Sequence, residues 1–229
     1  MNELTLDYDG FTELFKESGA VKMRKTINKT MILDAAWKLL ADGGLNAISM
    51  RKLADQVNVK VSTLYWHFSS KEILLGTMTD QVIENAISNF PSDNADGTWQ
   101  DKLLASGLAL AHAIRERPYS AEILISLPPN SDTLFIMADR WLGIIDELNL
   151  SDKEKFYVLS VFQNNIIAFE RDYLVQSTSQ PQEHNLSFSQ LPYINRLYDE
   201  GLFQTMGTDE MLGWSLNTII QGISAQLNN

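Results

Sequence analysis

Thr63-Leu64-Tyr65-Trp66-His67-Phe68, preceded by Lys52-Leu53-Ala54-Asp55-Gln56-Val57 and followed by Lys71, decides the fold of this 229-residue chain. Ser49 is placed to cap one short helix running through Val57, with Leu53 and the small Ala54 turned inward. The interruption at Asn58 forces a tight turn into a second helix starting near Lys60. Two short helices joined so closely form a helix-turn-helix, whose second helix offers its outward side chains to the major groove of DNA. On this reading Leu53 and Leu64 are core, Trp66 packs the second helix onto its neighbours, and Phe68 seals the hinge to the next element.

The flanking residues extend the pattern. Met31, Ile32, Ala35, Ala36, Leu39 and Leu40 form a helical stripe over residues 29–41, ended by Asp42-Gly43-Gly44, where glycine supplies the C-terminal cap. Ser70 caps a longer helix carrying Ile73, Leu74, Met78, Val82, Ile83 and Ile87 to near Phe90-Pro91, long enough to join a small head to a larger body. After a polar loop at residues 92–97, helical stretches are predicted at about 98–116, 121–127, 132–148, 152–175, 190–199 and 209–226. Pro118, Pro128, Pro129, Pro181 and Pro192 all fall at their boundaries.

With no strand pattern, the expected class is all-α: an N-terminal three-helix helix-turn-helix head on a larger helical body. The expected division is an extension at residues 1–26, the head at 27–73 and the body at 74–229. In the extension, Phe11, Leu14 and Phe15 have the spacing of a short amphipathic helix; a frayed tail, or a true start at Met23, are the alternatives. Residues 176–189 are polar and rich in Ser, Gln, Asn and Pro, as a long loop would be.

The formal charge of −11 argues against a nucleic-acid partner only until it is divided along the chain. Residues 1–21 hold one basic and five acidic side chains, residues 22–71 nine basic and three acidic, and residues 72–229 eight basic and 21 acidic. The helix-turn-helix therefore lies in the positive block, which would draw a polyanion, while the acidic remainder discourages non-specific wrapping. The same charge is also compatible with a solvated basic face that has no partner.

Absence of cysteine excludes a disulfide framework, a thiolate nucleophile and Cys-ligated zinc, and it suits a cytoplasmic protein. No apolar run approaches the roughly 20 residues a membrane span needs, and no membrane partner is expected. There is no nucleophile–base pair and no glycine-rich phosphate loop, so an enzyme is not expected. His112 and Glu116 stand four apart on one helix face, but such a histidine is more often hydrogen-bonded structure, and neither a metal nor another cofactor is expected.

The run Ile48-Ser49-Met50-Arg51-Lys52-Leu53-Ala54, then Val59 through Phe68, then Lys71 and Leu74-Leu75, closely resembles the head of tetracycline-repressor (TetR) family regulators. Thr98-Trp99-Gln100-Asp101, the helix lengths and the polar insertion before the last helices give the body a weaker resemblance to the tetracycline repressor's own branch. The resemblance implies a homodimer on a double-stranded DNA operator, released by a small-molecule effector bound in the body. The last two long helices would pair across the dimer through broad apolar faces that include Phe156, Phe162, Tyr173, Met211, Trp214 and Ile223. Gly213 and Gly222 weaken such a helix, a loss that close approach across the dimer axis would offset.

Carried over by position, Lys25, Arg51, Lys60, Val61, Ser62, Thr63, Tyr65, His67 and Lys71 are the expected DNA-contacting residues. Arg51 can grip guanine, Val61 and Ser62 can touch a thymine methyl, and Tyr65, His67 and Lys71 can bond phosphate oxygens. Val61 stands where tetracycline repressors carry a base-reading glutamine and Lys60 where they carry an acid, which predicts a different operator.

For the effector, Ile87, Ser106, Leu110, Leu124, Leu127, Met137, Trp141, Asn165, Phe169 and Glu170 are the expected lining residues, a largely apolar set with a few polar groups. A solid core is the competing reading. Ile87, Ser106, Leu124 and Pro128 fall where tetracycline repressors hold the drug and its magnesium with two histidines, an asparagine and an arginine. Without the imidazoles, tetracycline is rejected as effector. A ligand-independent regulator or activator with a packed body is the alternative function.

Overall fold

The computed structural model describes residues 27–92, 95–126, 131–178 and 190–227. Lys25, Leu127, Pro128, the N-terminal extension and most of the polar loop lie outside them. The elements of the described residues are all helices, with no strand, as the apolar periodicities predict.

Three helices build the head: α1 (Lys29–Gly43), α2 (Met50–Gln56) and α3 (Val61–His67). Their ends are set by local chemistry. The Asn28 side chain accepts the Met31 N–H at 2.9 Å and Ser49 Oγ accepts the Lys52 N–H at 3.2 Å, satisfying otherwise orphaned donors at each N-terminus. Gly44 ends α1 at φ +64°, donating its N–H to the Leu40 carbonyl. Asn58 turns the chain between α2 and α3 at φ +55°, a conformation that asparagine tolerates better than bulkier residues. Leu40, Leu53, Ala54 and Leu64 are fully buried between the three helices, and Phe68 closes the core at the exit from α3.

Ser70 caps α4 (Lys71–Ser88), accepting the Ile73 N–H at 3.2 Å. This helix packs on α1 in the head and on α5 (Trp99–Arg115), α6 (Ser120–Ser126) and α7 (Asp132–Ile145) in the body, so it joins the two units. Long α8 (Asp152–Thr178), short α9 (Pro192–Asp199) and α10 (Asp209–Leu227) complete the body.

Helix α5 is the body's axis, touching α4, α6, α7, α8 and α10. Thr98 and Asp101 form a reciprocal capping box at its start, and the Thr98 N–H, then its hydroxyl, hold the Asp101 carboxyl below the usual aspartate range. Gly107 lets α8 and α10 approach it: a Cβ there would lie 2.7 Å from Phe162 and 3.0 Å from Leu216.

Candidate nucleic-acid interface and body surfaces

α3 buries one side only. Leu64 is its one fully enclosed residue, and at 100° per residue the exposed side carries Ser62, Tyr65 and Trp66. Trp66 is 91% exposed, which corrects the expectation that it packs α3 onto its neighbours. Two residues from Leu64 it points roughly 200° away around the helix, so its bulk could not reach the core without unseating Leu64. The spacing alone fixes that angle, and the size of the ring does not override it.

The other candidates on α3 lie nearer its buried side: Val61 and His67 are each three residues, about 60°, from Leu64, and Thr63 about 100° from it. Arg51 at the start of α2, Lys60 at the N-cap of α3 and Ser62 are exposed, while Val61, Thr63, His67 and Lys71 are half-buried. The outward arc of α3 thus carries a hydroxyl and two aromatic rings, and the head also exposes Arg51 at the start of α2 and Lys60 at the N-cap of α3. Such a surface can bond phosphates and touch base edges in one groove.

Those of the expected effector residues that are described lie buried or half-buried in the body. Ser106 and Leu110 are fully buried, Met137 and Trp141 nearly so. The Trp141 indole N–H donates to Ser106 Oγ at 2.9 Å, and its ring stacks on Phe90 and meets Phe162 edge-on at centroid distances of 5.9 and 5.4 Å. Ile87, Leu124 and Phe169 are half-buried against the core, and Asn165, also half-buried, accepts a hydrogen bond from Ser215 at 3.1 Å.

Two open clefts lie nearby, and none of these residues lines either. One, of about 840 Å³, runs between α7 and α8 past Leu134, Phe135, Leu142, Phe156 and Leu159. The other, of about 690 Å³, sits between the start of α5 and α7 beside Phe90, Trp99, Lys102, Arg140 and Leu148. Arg140 donates to the Ile87 and Pro91 carbonyls at 3.3 and 3.1 Å, tying α7 to the end of α4.

Glu170 belongs to a contact that the sequence did not disclose. The Arg115 guanidinium grips its carboxylate at 2.6 and 2.9 Å, reaches Asp209 at 2.7 Å and lies 4.5 Å from the Tyr173 ring centre. The Glu170 hydrogen bonds, opposed by burial, raise the Arg115 pKa above its usual value, and Arg115 in turn lowers that of Asp209. This clamp fastens α5 to α8 and to the start of α10. His112 also faces Asp209, at 3.4 Å, while Glu116 accepts from Asn85, so the two do not converge on one point. Among the described residues, no three His, Asp or Glu side chains are grouped as metal ligands would be.

The outer faces of α8 and α10 expose large apolar residues among polar ones such as Asn164, Asn217, Thr218 and Gln221. Phe162, Ile166, Leu212, Leu216, Ile220 and Ile223 turn inward, but Tyr157, Val161, Val175, Met211 and Trp214 are exposed, Trp214 by 72%. Gly213 and Gly222 have open space where a Cβ would be.

A positively charged helix-turn-helix on an all-α body whose outer helices expose large apolar residues defines a class: a DNA-binding regulator with a separate body. The model for bacterial regulatory proteins of the tetR family matches residues 32–78, and that for the tetracyclin repressor-like C-terminal domain matches residues 90–227. The chain belongs to the TetR family of transcriptional regulators. Among curated relatives, the class D tetracycline repressor protein of Escherichia coli is 22% identical over 209 residues, covering 88% of this chain and 91% of its own length.

Solved structures share the fold. One is a single-substitution variant of TetR from Acinetobacter baumannii AYE in complex with minocycline, with TM-score 0.68, 19% identity, and 88% of this chain and 98% of that one covered. Another is BioQ with its natural double-stranded DNA operator, with TM-score 0.62, 21% identity, and 87% and 99% covered. No helix among the described residues is long and apolar enough to cross a membrane.

Proposed function

We propose that the chain is a homodimeric repressor that places α3 of each subunit in the major groove of a near-palindromic operator and leaves it when a small, largely apolar effector binds the body. The observation that carries the DNA-binding half is the outward face of α3, where Ser62, Tyr65 and Trp66 stand exposed in the positive block that also exposes Arg51 and Lys60. Arg51, Val61 and Ser62 read bases; Tyr65, His67 and Lys71 hold phosphates. Trp66 joins them, its indole placed to meet the groove wall.

The exposed stripe on α8 and α10 supports the dimer, because Trp214 and Val161 gain by leaving water and the bare Gly213 and Gly222 permit close approach of a second copy. BioQ in complex with its operator and a TetR variant in complex with minocycline, both of this fold, support the pairing of a DNA-binding head with an effector-binding body. The effector site is the volume around Ser106, Leu110, Met137, Trp141 and Phe169, opened by displacing the Trp141 indole.

The second reading is a ligand-independent regulator with a packed body. It is favoured by the filled interior, where Trp141 is stacked and hydrogen-bonded. Footprinting of the chain's own upstream DNA, repeated with cell extract added, separates the two: protection that vanishes with extract supports the effector, protection that never responds supports the packed body, and no protection at all removes both.

A further inference from the structure

Besides α4, the head meets the body through the α5–α6 turn. Trp37 on α1 is buried, and its indole N–H donates to Gln81 Oε1 on α4 at 2.8 Å. The guanidinium of Arg117, from that turn, lies 5.1 Å from the centre of the same indole, within the range where a cation is drawn to an aromatic face. Two residues on, the Tyr119 ring lies over Gly44 at the end of α1, 3.3 Å from where a Cβ would stand. Tyr119 sits at φ +65°, a conformation costly for a bulky residue and kept only where its surroundings impose it. Beside Gln81, Asp80 accepts a 2.6 Å hydrogen bond from Thr133 at the start of α7.

We propose that Trp37 is the clasp that sets the orientation of the head on the body, held from one side by Gln81 of α4 and from the other by Arg117, with Tyr119 on Gly44 as its second point. One helical joint leaves the head free to swing about it, whereas a contact displaced from that joint fixes the angle at which α3 is presented. Arg117 is exposed, so its side of the clasp parts without opening either core. Movement of α7 or of the α5–α6 turn then reaches the head through Thr133, Asp80 and Gln81, or through Arg117 itself. Arg117 and Gln81 are positioning residues: they act on DNA through Trp37. The inference rests on the reading of the head as the DNA-binding unit, and not on an effector.

The chain has no cysteine, so spin labels can be placed at Asp55→Cys on α2 and Asn149→Cys in the body, both exposed, without background. Labelled full-length protein diluted into unlabelled protein then gives the head-to-body distance within one chain by pulsed electron paramagnetic resonance. The expected result is one narrow distribution for the parent, a shifted or broadened one for Arg117→Ala and for Trp37→Phe, which loses the N–H donor but keeps a ring, and recovery with Arg117→Lys. Affinity for a duplex of the upstream region should fall about three- to tenfold in the Arg117→Ala chain while its melting temperature holds. Distances in Arg117→Ala and Trp37→Phe that coincide with the parent overturn the clasp whatever the DNA does. Distances that shift in a chain binding no duplex keep the clasp and remove the regulator reading instead.

Discussion

Two exposed aromatic-bearing faces of this molecule differ in what else they expose. The head that exposes Tyr65 and Trp66 also exposes Ser62, Arg51 and Lys60; α8 and α10, which expose Tyr157 and Trp214, also expose Val161 and Met211 and carry glycines with open space at Cβ. Exposed tryptophan alone says little. The company it keeps decides: hydroxyls and cations suit a hydrated polyanion, while large exposed apolar residues on two adjacent helices suit a copy of itself. Both faces rest on buried cores, Leu64 beneath α3 and Phe162, Leu212 and Leu216 beneath α8 and α10.

The largest effect is expected beneath the body face. Arg115→Ala leaves the buried Glu170 carboxylate without its bidentate partner and should cost about 3 kcal/mol in chemical denaturation, the low end for a broken buried pair because Arg115 is itself 25% open to solvent. A loss near zero would mean that the clamp does not anchor α8 and α10. Next, Trp214→Glu should leave the melting temperature of the subunit unchanged but weaken self-association by about 2 kcal/mol or more, read by sedimentation across concentration. An unaltered dimer would move the interface elsewhere.

On the head face, Trp66→Ala should change stability by less than about 0.5 kcal/mol, since almost nothing of its ring is buried, while weakening operator binding. The reverse outcome, lost stability with intact binding, would restore the packing role that the sequence suggested. The smallest effect concerns pH. Asp209 has its pKa lowered by Arg115 and, less, by His112, so its contribution is complete above the ordinary aspartate value of 3.8 and is lost as pH falls through its lower folded value. Asp209→Asn should therefore be slightly less stable than the parent at neutral pH, and the difference should close in melts below about pH 4. A difference that widens on acidification contradicts the assignment.

Much of the fold was legible because its punctuation is local. Ser49, Ser70 and Thr98 cap helices with their own side chains, Gly44 stops α1, and Asn58 makes the turn that defines the head. Each signal sits within a few residues of the boundary it sets. The outward arc of α3 was legible in the same way, except at Trp66, where size outweighed angle. The interior of the body was not. Glu170 reads as a polar group in an apolar surround, and only the fold brings Arg115, 55 residues away, onto it. Trp37 and Gln81 are likewise 44 residues apart, joined by the packing of α1 on α4. Periodicity gives a helix its buried face but not which side chain from another helix meets it.

The central claim is that paired heads grip duplex DNA through α3. The direct measurement is sedimentation of the purified chain with duplexes of its own upstream region at low and rising salt, alongside the Arg51→Ala and Tyr65→Ala variants. The account predicts a complex of two chains per site that dissociates steeply with salt and is weakened by roughly 1–3 kcal/mol in Arg51→Ala. A chain that stays monomeric and ignores every fragment at low salt, or variants that bind as tightly as the parent, would contradict it.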